Sequence, residues 1–342
     1  MALARRWIVV SVAASFCLIS LLDPGVIHPA HATPSASPGV FELQDAALVS
    51  RKAGDVSVLT EPGVPVAFTI FSDLSAEPNR SIVVADDNGL AAMEVTAFKQ
   101  ATVVAVAGDT FRSTRTYSAA SQFAPLDIPG KLPRPKQRFF DPPGVGKGPN
   151  AKVTKIGSRL RKKMTGVSWR PGCIPFDQLR QVNVNYIDPE GFVRRGTIIV
   201  RDDVAKRVAR LFSHIYRDRY RLTSMHPAYR YGKSKRGPGA NDYAMMRASN
   251  TSAFNCRYAV GFESSAILSP HWGGRAIDIN PNENPYISRA GTFPHAAYTS
   301  QSARKKNPMA LNRRSSPVRH AIRMGWDWWG PKGDWHHFEM RR

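Results

Sequence analysis

Ser269-Pro270-His271-Trp272-Gly273-Gly274-Arg275-Ala276-Ile277-Asp278-Ile279-Asn280 sets a histidine and an aspartate seven positions apart, across a glycine pair. On one helix, seven positions span about 10 Å of axis, too far to share an ion whose ligand bonds are about 2 Å. The Gly273-Gly274 pair also disfavours a helix. His271 and Asp278 can therefore converge only through a turn that leads into a strand. Along that strand, Ile277 and Ile279 face a core while Ala276, Asp278 and Asn280 face the opposite way, which places a carboxylate on a concave sheet face. Taken alone, the motif reads first as a turn-side aspartate with a stray histidine, and a second element is needed.

That element is Gly333-Asp334-Trp335-His336-His337-Phe338-Glu339-Met340. It offers another nitrogen ligand with a carboxylate close beside it, which a catalytic zinc site requires: three protein ligands, an open fourth position and a base for the water's proton. Strand parity leaves the ligand open. In a straight strand Asp334 shares a face with His336, whereas His337 lies with Trp335 and Glu339. All histidines beyond the first 32 residues, His214, His226, His271, His295, His320, His336 and His337, follow residue 151, so an imidazole site belongs to the C-terminal part.

Working outward, Gln181 to Tyr186 alternates as a strand and Gly196 to Val200 is a short β-branched run. Asp202 to Tyr220 changes period, with Val204, Val208, Leu211, Phe212, Ile215 and Tyr216 on one helical face. Ser316, Pro317 and Gly325 read as N-cap, N1 and C′ of a short helix. Strands and helices mix without a repeating βα unit, so residues 151–342 read as α+β. Residues 33–120 read as an all-β sandwich module: the runs Val64 to Ser72, Ser81 to Ala85, Ala101 to Ala107 and Thr110 to Ser118 are separated by Glu61-Pro62-Gly63, Glu77-Pro78-Asn79, Asp87-Asn88-Gly89 and Gly108-Asp109. Between the two, residues 121–150 interleave Pro125, Pro129, Pro133, Pro135, Pro142, Pro143 and Pro149 with Lys and Gly, the composition of a stiff linker.

The 342 residues carry 48 Lys and Arg against 26 Asp and Glu, a net charge of +22, with a mean hydropathy of −0.31. This composition excludes a disordered or fibrous chain and calls for an anionic partner. The charge is unevenly placed. Residues 151–342 hold 35 basic and 13 acidic side chains, whereas residues 33–120 hold 6 and 10. The basic C-terminal part is therefore the one expected against an anionic polymer. Nucleic acid is disfavoured by the N-terminus and by the lack of an ordered aromatic-basic motif.

At that N-terminus, Arg5 and Arg6 precede an apolar run from Trp7 to Leu22, and Ala30-His31-Ala32 gives a small-x-small cleavage pattern. Residues 1–32 read as a secretory signal peptide, with an uncleaved anchor as the alternative. Export would leave a secreted or cell-wall protein with no stable membrane span after cleavage. Of the three cysteines, Cys173 and Cys256 would then remain, an even pair that invites one disulfide in an oxidising compartment.

The ordered set Ser-x-His-x-x-Gly-x-Ala-x-Asp and Asp-x-x-His-Phe-Glu resembles the VanY-like M15 family of zinc D-alanyl-D-alanine carboxypeptidases and L-alanyl-D-glutamate endopeptidases. Asn250 to Arg257, Asn284-Pro285-Tyr286 and Gly325-Trp326-Asp327-Trp328 extend the likeness over roughly residues 165 to 342. The resemblance implies a hedgehog/DD-peptidase-like domain with a small antiparallel sheet, and the preceding module is expected to be Ig-like. It implies Zn2+ held by His271, Asp278 and His337, Asp334 as general base, Arg257 binding and polarising substrate, and Ser269 beside the first ligand. His336 becomes a neighbour, and the chain must bend between Asp334 and His337. The implied activity is peptide-bond hydrolysis in peptidoglycan stems, of D-Ala-D-Ala carboxypeptidase type. The L-Ala-D-Glu endopeptidase and a non-catalytic, zinc-containing wall binder are the alternatives. One departure is plain: Trp328-Trp329-Gly330-Pro331-Lys332-Gly333 runs straight into Asp334, shorter than the family's usual spacing.

Overall fold

The computed structural model describes residues 41–340 apart from 110, 129–132, 138 and 140. The segment read as a signal, 1–32, lies outside them. Among the described residues no helix is long and apolar enough to cross a membrane.

Seven strands fill residues 48–120: β1 (Leu48–Val49), β2 (Ala53–Leu59), β3 (Pro65–Ser72), β4 (Asn79–Val84), β5 (Leu90–Thr96), β6 (Gln100–Ala107) and β7 (Phe111–Ala120). They form a five-stranded sheet of order β1-β7-β6-β3-β4 and a β2-β5 pair. All neighbours are antiparallel except β1 and β7. The two sheets share one core because alternate residues point inward: Val56 and Val58 from β2, Val66, Phe68 and Ile70 from β3, and Val103 and Ala105 from β6 are buried together. The strands β2 and β5 lie outside the four alternating runs read from sequence. Small residues such as Gly54, Ser57 and Ala92 dilute their alternation.

The C-terminal part mixes helices and sheets, an α+β arrangement. The strands β8 (Lys152–Lys155), β9 (Leu179–Ile187) and β10 (Val193–Arg201) make an antiparallel sheet of order β10-β9-β8. Helix α1 (Ser158–Met164) follows β8, and α2 (Asp202–Arg217) lays Val204, Val208, Leu211, Phe212 and Ile215 against the inner face of β9 and β10. After α3 (Asp242–Arg247) comes β11 (Ala276–Asp278), then the hairpin β12 (Tyr286–Ser288) and β13 (Gly291–Phe293). Helices α4 (Gln301–Lys306) and α5 (Ser316–Arg323), β14 (Asp327–Trp328) and β15 (His337–Glu339) complete the chain. The second sheet has the order β11-β15-β14, and its Ile277 and Phe338 pair across strands into the same core as α2 and α5.

The α5 cap differs from the sequence expectation by one residue. Ser315, in extended conformation, is the N-cap without a side-chain cap bond, and Ser316 is already helical with its hydroxyl donating to Asp218 at 2.7 Å. Pro317 stands in the first turn, and Gly325 takes the left-handed conformation beyond the helix end.

Val40–Arg342 is one compact unit. The described residues of 121–150 form neither helix nor strand, yet they are tied down. Asp141 is buried and accepts hydrogen bonds from the Tyr186 hydroxyl and the Met225 amide, each at 2.8 Å. Phe139 meets the rings of His226 and Tyr231 edge-on. At the β9-β10 turn, Phe98 packs edge-on against Phe192 with Arg194 over its ring, and Lys99 pairs with Glu190.

One buried acid makes stability depend on pH. Burial pushes Glu283 up to about 7, although the Ser249 hydroxyl and the Asn282 amide donate to it. Unfolded, a glutamate loses its proton near pH 4.3. The folded state therefore binds more protons between those values, so this contribution is present at low pH and is lost as pH rises through about 7. Glu283→Gln keeps an acceptor for Ser249 and is expected to be near neutral at pH 5 and stabilising by about 2–3 kcal/mol at pH 8. Denaturant melts at both pH values check this, and an equal effect at both would contradict it.

Candidate metal centre

A local device in the chain positions each member of the site. Ser269 caps a single 3-10 turn, Pro270–Gly273, by accepting the His271 amide at 3.3 Å. Gly274 then takes a left-handed conformation, φ +66°, where a Cβ would stand 3.0 Å from the Arg201 amide nitrogen. This turn feeds β11, as the glycine pair predicts. In the register of β11 and β15, Asp278 lies directly opposite His337, and Ile277 opposite Phe338. The alternation that buries the apolar pair thus brings the carboxylate and the imidazole together on the other face.

The parity problem is resolved by where β15 begins. The strand starts at His337, so Asp334 to His336 lies in a turn closed by a 3.3 Å bond from the His337 amide to the Asp334 carbonyl. Asp334 itself bridges to Tyr286 of β12. Asp334, His336 and His337 therefore all face one cleft of about 310 Å3, which also receives His271, Asp278, Arg257 and Ser269.

His271, Asp278 and His337 are all buried, and one ligand atom from each lies within 4.8 Å of the others. The Nδ1–H of His271 donates to the Ala253 carbonyl at 2.6 Å, which fixes the tautomer and turns the Nε2 lone pair inward. That Nε2 stands 3.0 Å from Asp278 Oδ2 but makes no well-directed hydrogen bond. On the other side, His337 Nδ1 is 3.0 Å from Asp278 Oδ1. The Nδ1–H of His336 donates to the Asn284 carbonyl at 2.6 Å, leaving its Nε2 3.2 Å from Asp334 Oδ1 and 3.7 Å from Asp278 Oδ2.

The electrostatics ask for a cation. Burial pushes Asp278 up, but the facing His271, His336 and His337 outweigh it and hold the carboxyl well below its usual range. Burial pulls His337 down, yet the Asp278 and Glu339 carboxylates beside it raise it to about 10. Burial keeps Asp334 above the ordinary carboxylate value against the pull of His336 and His337. Two nitrogens and one carboxylate oxygen, buried and with a fixed tautomer, suit Zn2+, whose bonds to such donors are about 2.0–2.2 Å. The donor set thus fits the ion that the family resemblance implies.

If the ligand set is right, His337→Ala should lose stoichiometric zinc, whereas His336→Gln should retain it within about tenfold in affinity. Metal analysis after dialysis against a weak chelator separates the two. Retention by His337→Ala with loss by His336→Gln would exchange their places.

The remaining predicted residues are close by. Arg257 lines the cleft, but its guanidinium is already paired with Asp242 at 2.8 Å and donates to the Tyr258 carbonyl at 2.9 Å. Its Nε is buried and has no hydrogen-bond partner among the described residues. Cys173 and Cys256 form a disulfide, immediately before Arg257. Asp242, Trp329 and Lys332 also line the cleft without having been singled out as a set. Asp242 follows the α3 cap Asn241 and reads locally as first-turn helix chemistry, so nothing in the sequence marks it as the partner of Arg257. Of the tryptophans, Trp326 is core, Trp328 packs edge-on with Trp335, and Trp329 stands over His337 with ring centres 5.4 Å apart. His214 stacks on His320 at the α2–α5 contact, away from the cleft.

A buried His/Asp/His group in an open cleft, with a further carboxylate alongside, could hold a metal ion and place a base beside it. Residues 263–340 match the family model of D-alanyl-D-alanine carboxypeptidases in the M15 peptidases, and this supports an M15 family peptidase. The matched stretch contains Ser269, His271, Asp278, Asp334 and His337, and it excludes Arg257. No curated protein matches the chain.

Proposed function

We propose that the chain is an exported, VanY-like zinc peptidase that hydrolyses peptide bonds in the stem peptides of peptidoglycan, of D-Ala-D-Ala carboxypeptidase type. The observation that carries this reading is the group His271, Asp278 and His337 with Asp334 beside it, inside the stretch that matches the family model. In the proposed assignment these three residues hold Zn2+. When bound, the ion supplies Lewis acidity and lowers the pKa of water to about 7.

The chain's own residues supply the rest. Asp334, raised by burial, takes the proton of the attacking water and returns it to the leaving amine. His336, anchored through Nδ1–H on the Asn284 carbonyl, sets its Nε2 3.2 Å from Asp334 Oδ1 without a directed hydrogen bond, and so lines the side of the cleft where that carboxylate works. Arg257, which lines the cleft, meets the carboxylate or carbonyl oxygen of the substrate with its permanent charge, while Asp242 fixes the guanidinium. Ser269 serves mainly by capping the turn that carries His271.

Residues 1–32 would direct export, and the all-β part would be an Ig-like module of the wall-associated protein, set before a hedgehog/DD-peptidase-like domain. Digestion of a defined stem pentapeptide, with and without chelator and followed by mass spectrometry, tests the activity. Loss of the terminal D-Ala only without chelator is the expected result. Cleavage between L-Ala and D-Glu would instead assign the endopeptidase, and no product in either condition would overturn the enzyme reading.

A further inference from the structure

The geometry points to a second binding site: a cleft on the outer face of the β8-β9-β10 sheet that takes a linear anionic polymer whose charges are phosphates or carboxylates. The cleft measures about 540 Å3 and shares no residue with the metal cleft. Four cations from three elements surround it. Arg159 and Lys163 lie one turn apart on α1, Arg195 comes from β10, and Arg230 from the turn Ala228–Tyr231.

None of the four is in an ion pair among the described residues. Arg195 is held by the Asn150 carbonyl at 2.6 Å and the Asn185 side-chain oxygen at 3.1 Å. Arg230 lies over the Phe139 ring and reaches His226 Nδ1 at 2.8 Å. Two cations are thus preset by neutral partners, and the two on α1 are exposed. Asp141 is the one acid in the lining, and it already accepts from the Tyr186 hydroxyl and the Met225 amide. Unpaired cations converging on one concavity focus an anion's field and raise its local concentration.

The floor selects among anions. Gln181, Asn183 and Thr197 form a neutral chain of hydrogen bonds, with Gln181 and Thr197 both donating to the Asn183 oxygen at 2.9 and 2.8 Å. Amides and a hydroxyl suit the hydroxyls of a sugar or polyol backbone. Tyr229 is the one Phe, Tyr or Trp in the lining and the His226 ring is buried, so the row of stacking platforms that single-stranded nucleic acid uses is missing. The groove stands on these residues, and only the polymer's source in a cell wall rests on the function proposed above.

The test uses the full chain with fluorescent polyphosphate and polygalacturonate as phosphate and carboxylate probes, and a DNA duplex and neutral dextran for comparison. One of the two anionic polymers should bind more tightly than DNA at equal ionic strength, and the preferred one identifies the charge. The double variant R159E/K163E should weaken that binding about tenfold or more and flatten its salt dependence. The milder R159Q/K163Q, with folding checked by circular dichroism, should fall between. R313E/R314E makes the same charge change in an exposed loop and should stay within about twofold of wild type.

Equal weakening by both charge-reversed pairs, tighter binding to DNA, or binding to neither polymer would overturn the site. Hydrolysis of a short stem peptide should be unchanged in all variants. Absence of hydrolysis by the wild type would sink the peptidase reading and leave the groove result standing.

Discussion

Asp334→Asn is expected to lower kcat for stem-peptide hydrolysis by about 10²–10⁴-fold while the protein still holds one zinc per chain. Asparagine keeps the volume and the oxygen that faces His336, so the cleft and the three ligands should be undisturbed. What it cannot do is accept and return a proton. The KM should change far less than kcat, because the side chain acts on the reacting water and not on the bulk of the substrate. Since burial raises Asp334, the acidic limb of the wild-type rate profile should fall above the usual aspartate range, as protonation there removes the base. An Asp334→Asn enzyme with undiminished kcat and intact metal would transfer the role elsewhere, and His336 would be the next group to examine.

The second large effect concerns the covalent bridge. Cys173 and Cys256 close a loop with a separation of 83 residues, for which chain entropy alone gives about 4.5 kcal/mol of stabilisation. The double variant Cys173→Ser with Cys256→Ser should lose a comparable amount in equilibrium denaturation, and reduction of the wild type should give the same midpoint. Activity should suffer before global unfolding. Cys256 is adjacent to Arg257, and the Arg170 guanidinium and the Ser168 carbonyl clamp the Cys256 backbone at 2.6 and 3.0 Å. A rise in KM at temperatures where the variant remains folded is the expected signature. A variant with wild-type KM and a stability loss under about 1 kcal/mol would show that packing alone holds this strand of chain.

How much of this was legible in the sequence differs from residue to residue. His271 and Asp278 could be joined because the glycine pair and the Ile277/Ile279 alternation are local signals, and the observed turn and strand obey them. His337 could not be separated from His336 by periodicity. The difference between them comes from the strand beginning at His337, three residues beyond Asp334, where a straight reading runs it from Asp334, and from Asp334 bridging to β12 far back in the chain. Asp242 was invisible for a similar reason: its pairing with Arg257 is a tertiary contact, and locally it is an ordinary first-turn acid. The helix α2 was readable almost to its ends because six apolar side chains repeat on one face. The strands β2 and β5 were not, since small and polar residues interrupt their pattern. The charge asymmetry indicated which part of the chain is basic, but only the fold gathers Arg159, Lys163, Arg195 and Arg230 around one concavity.

The anchoring of residues 121–150 has a mechanical consequence. A free proline-rich tether would let the β-rich part swing while the cleft stayed put. Here Asp141 is plugged into the C-terminal core, and Phe98 meets Phe192 at the β9-β10 turn. Rotation about that joint would strip a buried carboxylate of its donors, which costs several kcal/mol. The molecule therefore behaves as a caliper with a locked pivot. Anything bound to the β-rich part would therefore be held at one set distance and angle from the metal cleft, fixed by the body of the protein and not by slack in its chain.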